Sequence, residues 1–139
     1  VEAMDPRALA EQVLSATDVA FLATCEGDQP RVRPVNIAHR DGLNLWIASY
    51  TGWGKVGQLR KNPKVEVNVL VESGAHVRIV GRGFIRESAD DRRRIYESFP
   101  LMQRYFSEPS DPDYTLIEVV ADQVGVKDGW ELKYRPVPL

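Results

Sequence analysis

Lys64-Val65-Glu66-Val67-Asn68-Val69-Leu70-Val71-Glu72 is the stretch that decides the fold. Valine stands at 65, 67, 69 and 71, with Lys64, Glu66, Asn68 and Glu72 between and beyond. A period of two sends alternate side chains to opposite faces, so this is a half-buried antiparallel strand. Ser73-Gly74 turns the chain into another strand over residues 75–86. There Val77, Ile79 and Ile85 share one parity, and His76, Arg78, Val80, Arg82 and Phe84 share the other. Toward the N-terminus, residues 31–39 and 43–49 read as a hairpin about Asp41-Gly42. Residues 18–25 read as a strand closed by the turn cluster Glu26-Gly27-Asp28-Gln29-Pro30. Pro34 has no N–H to give a ladder, so its strand is expected to be an edge or to bulge there. Asp5-Pro6 is a helix start, and Leu9, Val13 and Ala16 form one stripe, which predicts a helix over 6–16 covering one end of a barrel. Toward the C-terminus, Ser88 with Asp91 opens a helical segment near residues 88–106, with Ile95, Tyr96 and Phe99 on its apolar face. Arg92-Arg93-Arg94 reads as its solvated side. Tyr114 to Val120 is a last long strand, and residues 123–134 are expected to add a hairpin about Asp128-Gly129. These elements predict a mainly β (α+β) fold, a small closed antiparallel barrel forming a single domain over 1–139.

The chain of 139 residues is long enough for one core but small for a protein that encloses a ligand alone. A formal charge of -2 and a pI near 5.7 weigh against general nucleic-acid or membrane-surface binding. No apolar run reaches transmembrane length and no signal-peptide pattern opens the sequence, so the expectation is a cytoplasmic protein. The single Cys25 ends an apolar strand and is expected to be a small buried thiol. With two histidines and one cysteine, no structural zinc site is expected. No nucleophile–base constellation points to a hydrolase, and no catalytic residue is singled out.

Chemistry concentrates between Arg33 and Pro63. Arg33-Pro34-Val35-Asn36 opens one strand, and Ser49-Tyr50-Thr51-Gly52-Trp53-Gly54-Lys55 follows the next. The residues after Gly54 read as a short helix, which makes Lys55 a first-turn residue. A cation there opposes the helix macrodipole. An anion held by the free N–H groups of that terminus would reverse the sign. Ser49 and Thr51 add hydroxyls, and Arg33 is within reach from the neighbouring strand. Spacing alone leaves two readings open, a phosphate seat or a solvated lysine beside an ordinary turn.

Arg33, Ser49, Lys55 and Asn62-Pro63 fall in register with a known pattern. The block resembles the flavin-binding segment of the pyridoxamine 5'-phosphate oxidase-like family, the FMN-binding split barrels. His76-Val77-Arg78-Ile79-Val80-Gly81 is similar to that family's Gln-Val-x-x-x-Gly strand, with His for Gln. Phe21-Leu22-Ala23-Thr24, Gly27 and Pro30 match its opening hairpin, so the resemblance runs from about Asp18 to Ala121. It implies a split barrel binding FMN, with Lys55 first and Arg33 second for the phosphate and Ser49 and Thr51 as donors. Pro34, Val35 and Asn36 would offer backbone groups to the ring. His76 is a candidate ring contact by family position, or else a surface histidine. The family places its flavin between the subunits of a homodimer, where Trp130 and Tyr134 would be partner contributions or plain interface packing. The implied activity is hydride or electron transfer to or from a small molecule. The alternatives are a deazaflavin-dependent reductase drawing on Arg31, Arg33, Arg60 and Lys61, a non-catalytic flavin- or haem-binding protein, and a barrel without a ligand. The sequence departs from the oxidase pattern at Trp53, Gly54 and Ala38. It also lacks the oxidase's C-terminal Arg- and His-containing substrate motif, so a vitamin B6 enzyme is not expected.

Overall fold

The structure is a computed structural model that describes residues 3–139. Helix α1 (Pro6–Ala16) starts as the sequence predicts, with the Asp5 carboxylate accepting from the Ala8 N–H at 3.1 Å and Pro6 in the first turn. The strands are β1 (Val19–Glu26), β2 (Gln29–Asp41), β3 (Asn44–Tyr50), β4 (Lys64–Leu70), β5 (His76–Arg86), β6 (Tyr114–Lys127) and β7 (Arg135–Val137). Helix α2 (Gly54–Lys61) joins β3 to β4; α3 (Ala89–Ser98) and the single turn α4 (Met102–Tyr105) join β5 to β6. The strands are ordered β3-β2-β1-β4-β5-β6, and antiparallel pairing of β3 with β6 closes them into a six-stranded barrel. The short β7 lies outside the ring, on the far half of β6.

Alternation fixes which residues fill the barrel. Leu22, Val67, Val69, Val77, Ile79, Ile117 and Val119 point inward and are fully buried. Leu9, Ala10, Val13 and Leu14 of α1 complete that core. Gly81 is needed at the β5–β6 irregularity, where Asp122 is an extra residue on β6; any Cβ at 81 would strike the Val120 carbonyl. A second apolar cluster lies outside the barrel, where Ile95, Met102 and Phe106 cover Trp46, Tyr114 and Leu116.

Three expectations need correction. Residues 123–127 continue β6 rather than opening a hairpin, and the return strand is residues 135–137, because β5 still offers pairing partners as far as His76↔Lys127. Arg92 is not on a solvated face. Its guanidinium donates to the carbonyls of Pro109, Asp111 and Tyr114 at 2.7–3.0 Å and lies over the Tyr114 ring, holding the loop before β6. Cys25 is half-exposed, because strand parity sends Ala20, Leu22 and Thr24 inward and Val19, Phe21 and Cys25 outward.

Candidate functional site

The site forms where β2 and β3 part. Their pairing runs from Asp41↔Asn44 only to Ile37↔Ile47, with a bulge that sets Ala38 out of register. Beyond it, residues 29–36 of β2 pair with β1 alone and Ala48 to Tyr50 of β3 pair with β6 alone. Pro34 therefore stands on an edge, as its missing N–H requires. The gap between the strands becomes a cavity of about 240 Å³. Pro34, Val35, Asn36 and Ala38 form one wall; Ala48, Ser49 and Tyr50 form another. Phe99, Leu101, Met102, Tyr105 and Phe106 roof it from the α3–α4 segment, and Trp53 and Lys55 close the end at α2.

Lys55 is the unusual group. It occupies the first turn of α2, whose N-cap, Trp53, makes no side-chain capping bond and whose first turn holds no acid. It is only 6 % exposed. Among the described residues its ammonium has neither a carboxylate nor a hydrogen-bond acceptor; the Trp53 ring lies 4.5 Å from Nζ to the centroid. Desolvation first, and then the Arg33 charge, push its pKa down from 10.5 to about 8. Arg33 is also half-buried without a carboxylate. Its guanidinium donates to the Leu22 carbonyl (3.1 Å), the Thr24 hydroxyl (2.8 Å) and the Gln58 amide oxygen (2.9 Å). Burial lowers its pKa too, and Arg31 adds to that. Two neighbouring cations thus share a poorly solvated corner without a counter-charge.

The structure brings five of the eight predicted residues to the cavity: Pro34, Val35, Asn36, Ser49 and Lys55. Arg33 stands behind Lys55, on the inward parity of β2, tied to α2 through Gln58. The Thr51 hydroxyl is spent elsewhere, donating to the Pro112 carbonyl at 2.8 Å and sharing a hydrogen bond with Thr115 at 2.8 Å. His76 begins β5 and does not line the cavity. Its Nδ1 donates to the Gly74 carbonyl at 2.9 Å, and Nε2 shares a hydrogen bond with the Tyr134 hydroxyl at 2.8 Å. Trp130 is an exposed loop residue, and Tyr134 is sandwiched near Arg78 and Gly125. The sequence reading missed the aromatic roof. Tyr50 is its hub, with ring centroids of Trp53, Phe106 and Tyr105 at 4.9, 5.0 and 6.2 Å. The signal available was the cluster of Phe99, Leu101, Met102, Tyr105 and Phe106, of which the sequence reading used only Phe99, as part of a helical apolar face.

A closed antiparallel barrel with a parted strand pair and a cation-ended cavity defines the class, and the comparisons place the chain within it. The family model described as pyridoxamine 5'-phosphate oxidase matches residues 7–128, and the chain belongs to that family. A protein related to general stress protein 26 from Clostridium acetobutylicum superposes with a TM-score of 0.82 at 21% identity, covering 96% of each chain. A FAD-binding protein from Mesorhizobium loti gives 0.65 at 23% identity over 82% of this chain and 86% of that one. A haem-binding protein from Mycobacterium smegmatis gives 0.80 at 15% identity over 99% of this chain and 59% of that one. At these identities the likeness is one of fold. An uncharacterised protein, RA0666, of Rhizobium meliloti is 40% identical over 57 residues, 41% of this chain and 36% of that relative's length. No helix among the described residues is long and apolar enough to cross a membrane.

Proposed function

We propose that the chain is an FMN-binding oxidoreductase of this family, with the flavin phosphate seated on Lys55 and the ring in the cavity between β2 and β3. The observation that carries this reading is Lys55, a buried residue whose ammonium has no carboxylate partner, beside the carboxylate-free Arg33. A phosphate supplies the missing charge, and the uncapped N-terminus of α2 offers it backbone N–H groups. Ser49 lines the same cavity, and its hydroxyl is held only by the adjacent Tyr50 carbonyl at 3.1 Å, so it is free to turn toward an oxygen of the ligand. The apolar walls and the unpaired edge of β2 at Pro34 to Asn36 suit a flat ring with a polar rim. Bound FMN would supply two-electron and one-electron chemistry; the chain's residues would bind it, orient it and exclude water from it. His76 keeps a place in this reading only as a contribution from a second copy.

That second copy is part of the proposal. At about 240 Å³ the cavity falls below the ~300–1,000 Å³ usual for ligand sites, so one chain would enclose only part of a flavin. The outer face of the β1–β2 ribbon borders it and is apolar: Val19, Phe21 and Val32 are 45, 43 and 71 % exposed, and the register sets Phe21 beside Pro34 and Ala23 beside Val32. We place the homodimer contact there.

The deazaflavin alternative needs more cations than are gathered here. Arg31 is paired with Glu26 at 2.9 Å, and Arg60 and Lys61 sit in the last turn of α2, at its other end. A haem would find no histidine or cysteine in the cavity wall, which leaves Met102, Tyr50 and Tyr105 as the axial ligands on offer there. The deciding experiment is the visible spectrum of the purified protein before and after adding FMN and desalting, with riboflavin in parallel. Retained FMN with riboflavin washed out supports the phosphate seat. Loss of both removes FMN as the ligand, and equal retention removes Lys55 as its anchor.

A further inference from the structure

We propose that Lys55 in the anion-free protein is a carbonyl-trapping nucleophile, its amine set in the wall of an aromatic cavity and reactive toward flat, uncharged aromatic aldehydes. Nothing in the FMN reading requires this; the two share one nitrogen and exclude each other in time.

An amine attacks a carbonyl only when unprotonated. Of the five lysines, Lys61, Lys64 and Lys133 are exposed and Lys127 is half-exposed, whereas Lys55 is buried and has no partner to fix its proton. With its pKa at about 8, roughly a quarter of Lys55 is neutral at about pH 7.5, against ~0.1% of an ordinary lysine. The cavity sets the ligand class. Tyr50, Phe99, Tyr105 and Phe106 offer ring faces and edges, and a volume of about 240 Å³ suits one or two fused rings. No carboxylate lines it, so a cationic ligand gains nothing, and the Lys55 charge beside Trp53 works against using those rings as a cage for one. An anionic ligand would instead stabilise the ammonium and silence the nucleophile.

In the step itself, the nitrogen lone pair attacks the carbonyl carbon, a C–N bond forms, and the carbonyl oxygen takes the proton that leaves nitrogen. That hydroxyl then takes up a proton and departs as water while the nitrogen gives up its second proton, which leaves a neutral C=N bond with no net oxidation or reduction. An imine is less basic than the amine, so the product relieves the repulsion from Arg33 that the ammonium suffers.

The test exposes the intact protein to 1-naphthaldehyde and cyanoborohydride at neutral pH, which reduces each imine to a stable secondary amine, and follows every lysine by peptide mass mapping. Lys55 should be labelled at least ~10-fold faster than Lys61, Lys64, Lys127 and Lys133, in line with its larger neutral fraction. Labelling at an equal or lower rate would overturn the proposal. Lys55→Arg, which keeps the charge and loses the nucleophile, should melt as a folded protein and lose only the fast phase; a fast phase that survives it also overturns the proposal. Adding FMN separates the two readings. Fast labelling that FMN does not slow leaves the reactive amine standing and removes Lys55 as the flavin's anchor. Tight FMN binding without fast labelling does the reverse.

Discussion

Two sets of cations on this barrel are treated in opposite ways. Along the outer face of β5, Arg78, Arg82 and Arg86 recur every four residues, and each meets a carboxylate from a neighbouring strand. Arg78 reaches Glu66 on β4 at 3.4 Å, Arg82 reaches Asp122 on β6 at 2.9 Å, and Arg86 reaches Glu118 on β6 at 3.0 Å. Phe84 lies between the last two guanidiniums, 5.3 and 4.9 Å from its ring. These groups are 39–48% exposed, so water alone would have served them. Lys55 is far less solvated, at 6 % exposed, Arg33 is half-buried beside it, and neither has an acid partner. Burial raises the cost of an unpaired charge, so a fold that only needed stability would supply partners in the opposite order. The proposed flavin phosphate would be the charge partner that the chain itself does not supply to Lys55.

The largest expected effect strikes the unpaired set. Lys55→Met should weaken FMN binding by roughly 1.5–3 kcal/mol, the range for a charge-assisted hydrogen bond, read by titration of flavin fluorescence. Unchanged affinity would end the contrast, because the unpaired cation would then hold nothing. The same change should stabilise the ligand-free protein. The folded pKa of Lys55 lies below its unfolded value, so between about 8 and 10.5 the unfolded chain binds more protons and folding becomes more favourable as pH rises. Below about pH 8 the wild type carries the full burden of the buried charge. Lys55→Met should therefore melt higher at neutral pH, by on the order of 1–3 kcal/mol, with the gap closing as pH rises toward 10.5. A gap that does not change with pH would assign the gain to packing instead.

Smaller again is the pH dependence of binding. A dianion restores the Lys55 proton, so FMN should be bound with proton uptake above about pH 8, its affinity falling toward tenfold per pH unit there and staying flat just below. Calorimetry in buffers of different ionisation enthalpy reads the uptake directly. Its absence would leave the ammonium uninvolved.

How much of this was legible follows from how local each signal is. The valine alternation at 65–71, the Asp5-Pro6 cap and the placement of Lys55 in a first helical turn depend on neighbours within a few residues, and each is found in the structure. The parting of β2 from β3 left one local trace, Pro34. What covers the parting did not show. The α3–α4 segment lies some 50 residues downstream, and an apolar helix face declares that it is buried without saying against what. Thr51 reads as a free hydroxyl because its partner, Thr115, is 64 residues away across the β3–β6 closure. Arg92 reads as solvated among three arginines because the carbonyls it gathers belong to a loop that folds back onto it. The unpaired cation was legible only in half: the sequence shows a cation at a helix start, while its lack of a partner is a property of the whole barrel.

The smallest expected effect belongs to the paired set. Arg82→Ala removes a two-bond contact with Asp122, at 2.9 and 3.1 Å, and one side of the Phe84 sandwich. The pair is exposed, so its attraction is screened and holding two long side chains together offsets much of the gain; the expected loss of stability is small. Because no ligand leans on this pair, FMN affinity should not move and the loss should shrink in high salt, which screens exposed charges. Urea melts of Arg82→Ala at low and high ionic strength check this. A large loss of stability, or a change in flavin affinity, would mean that the outer arginines also serve a site, and that pairing alone does not separate structural charge from functional charge on this barrel.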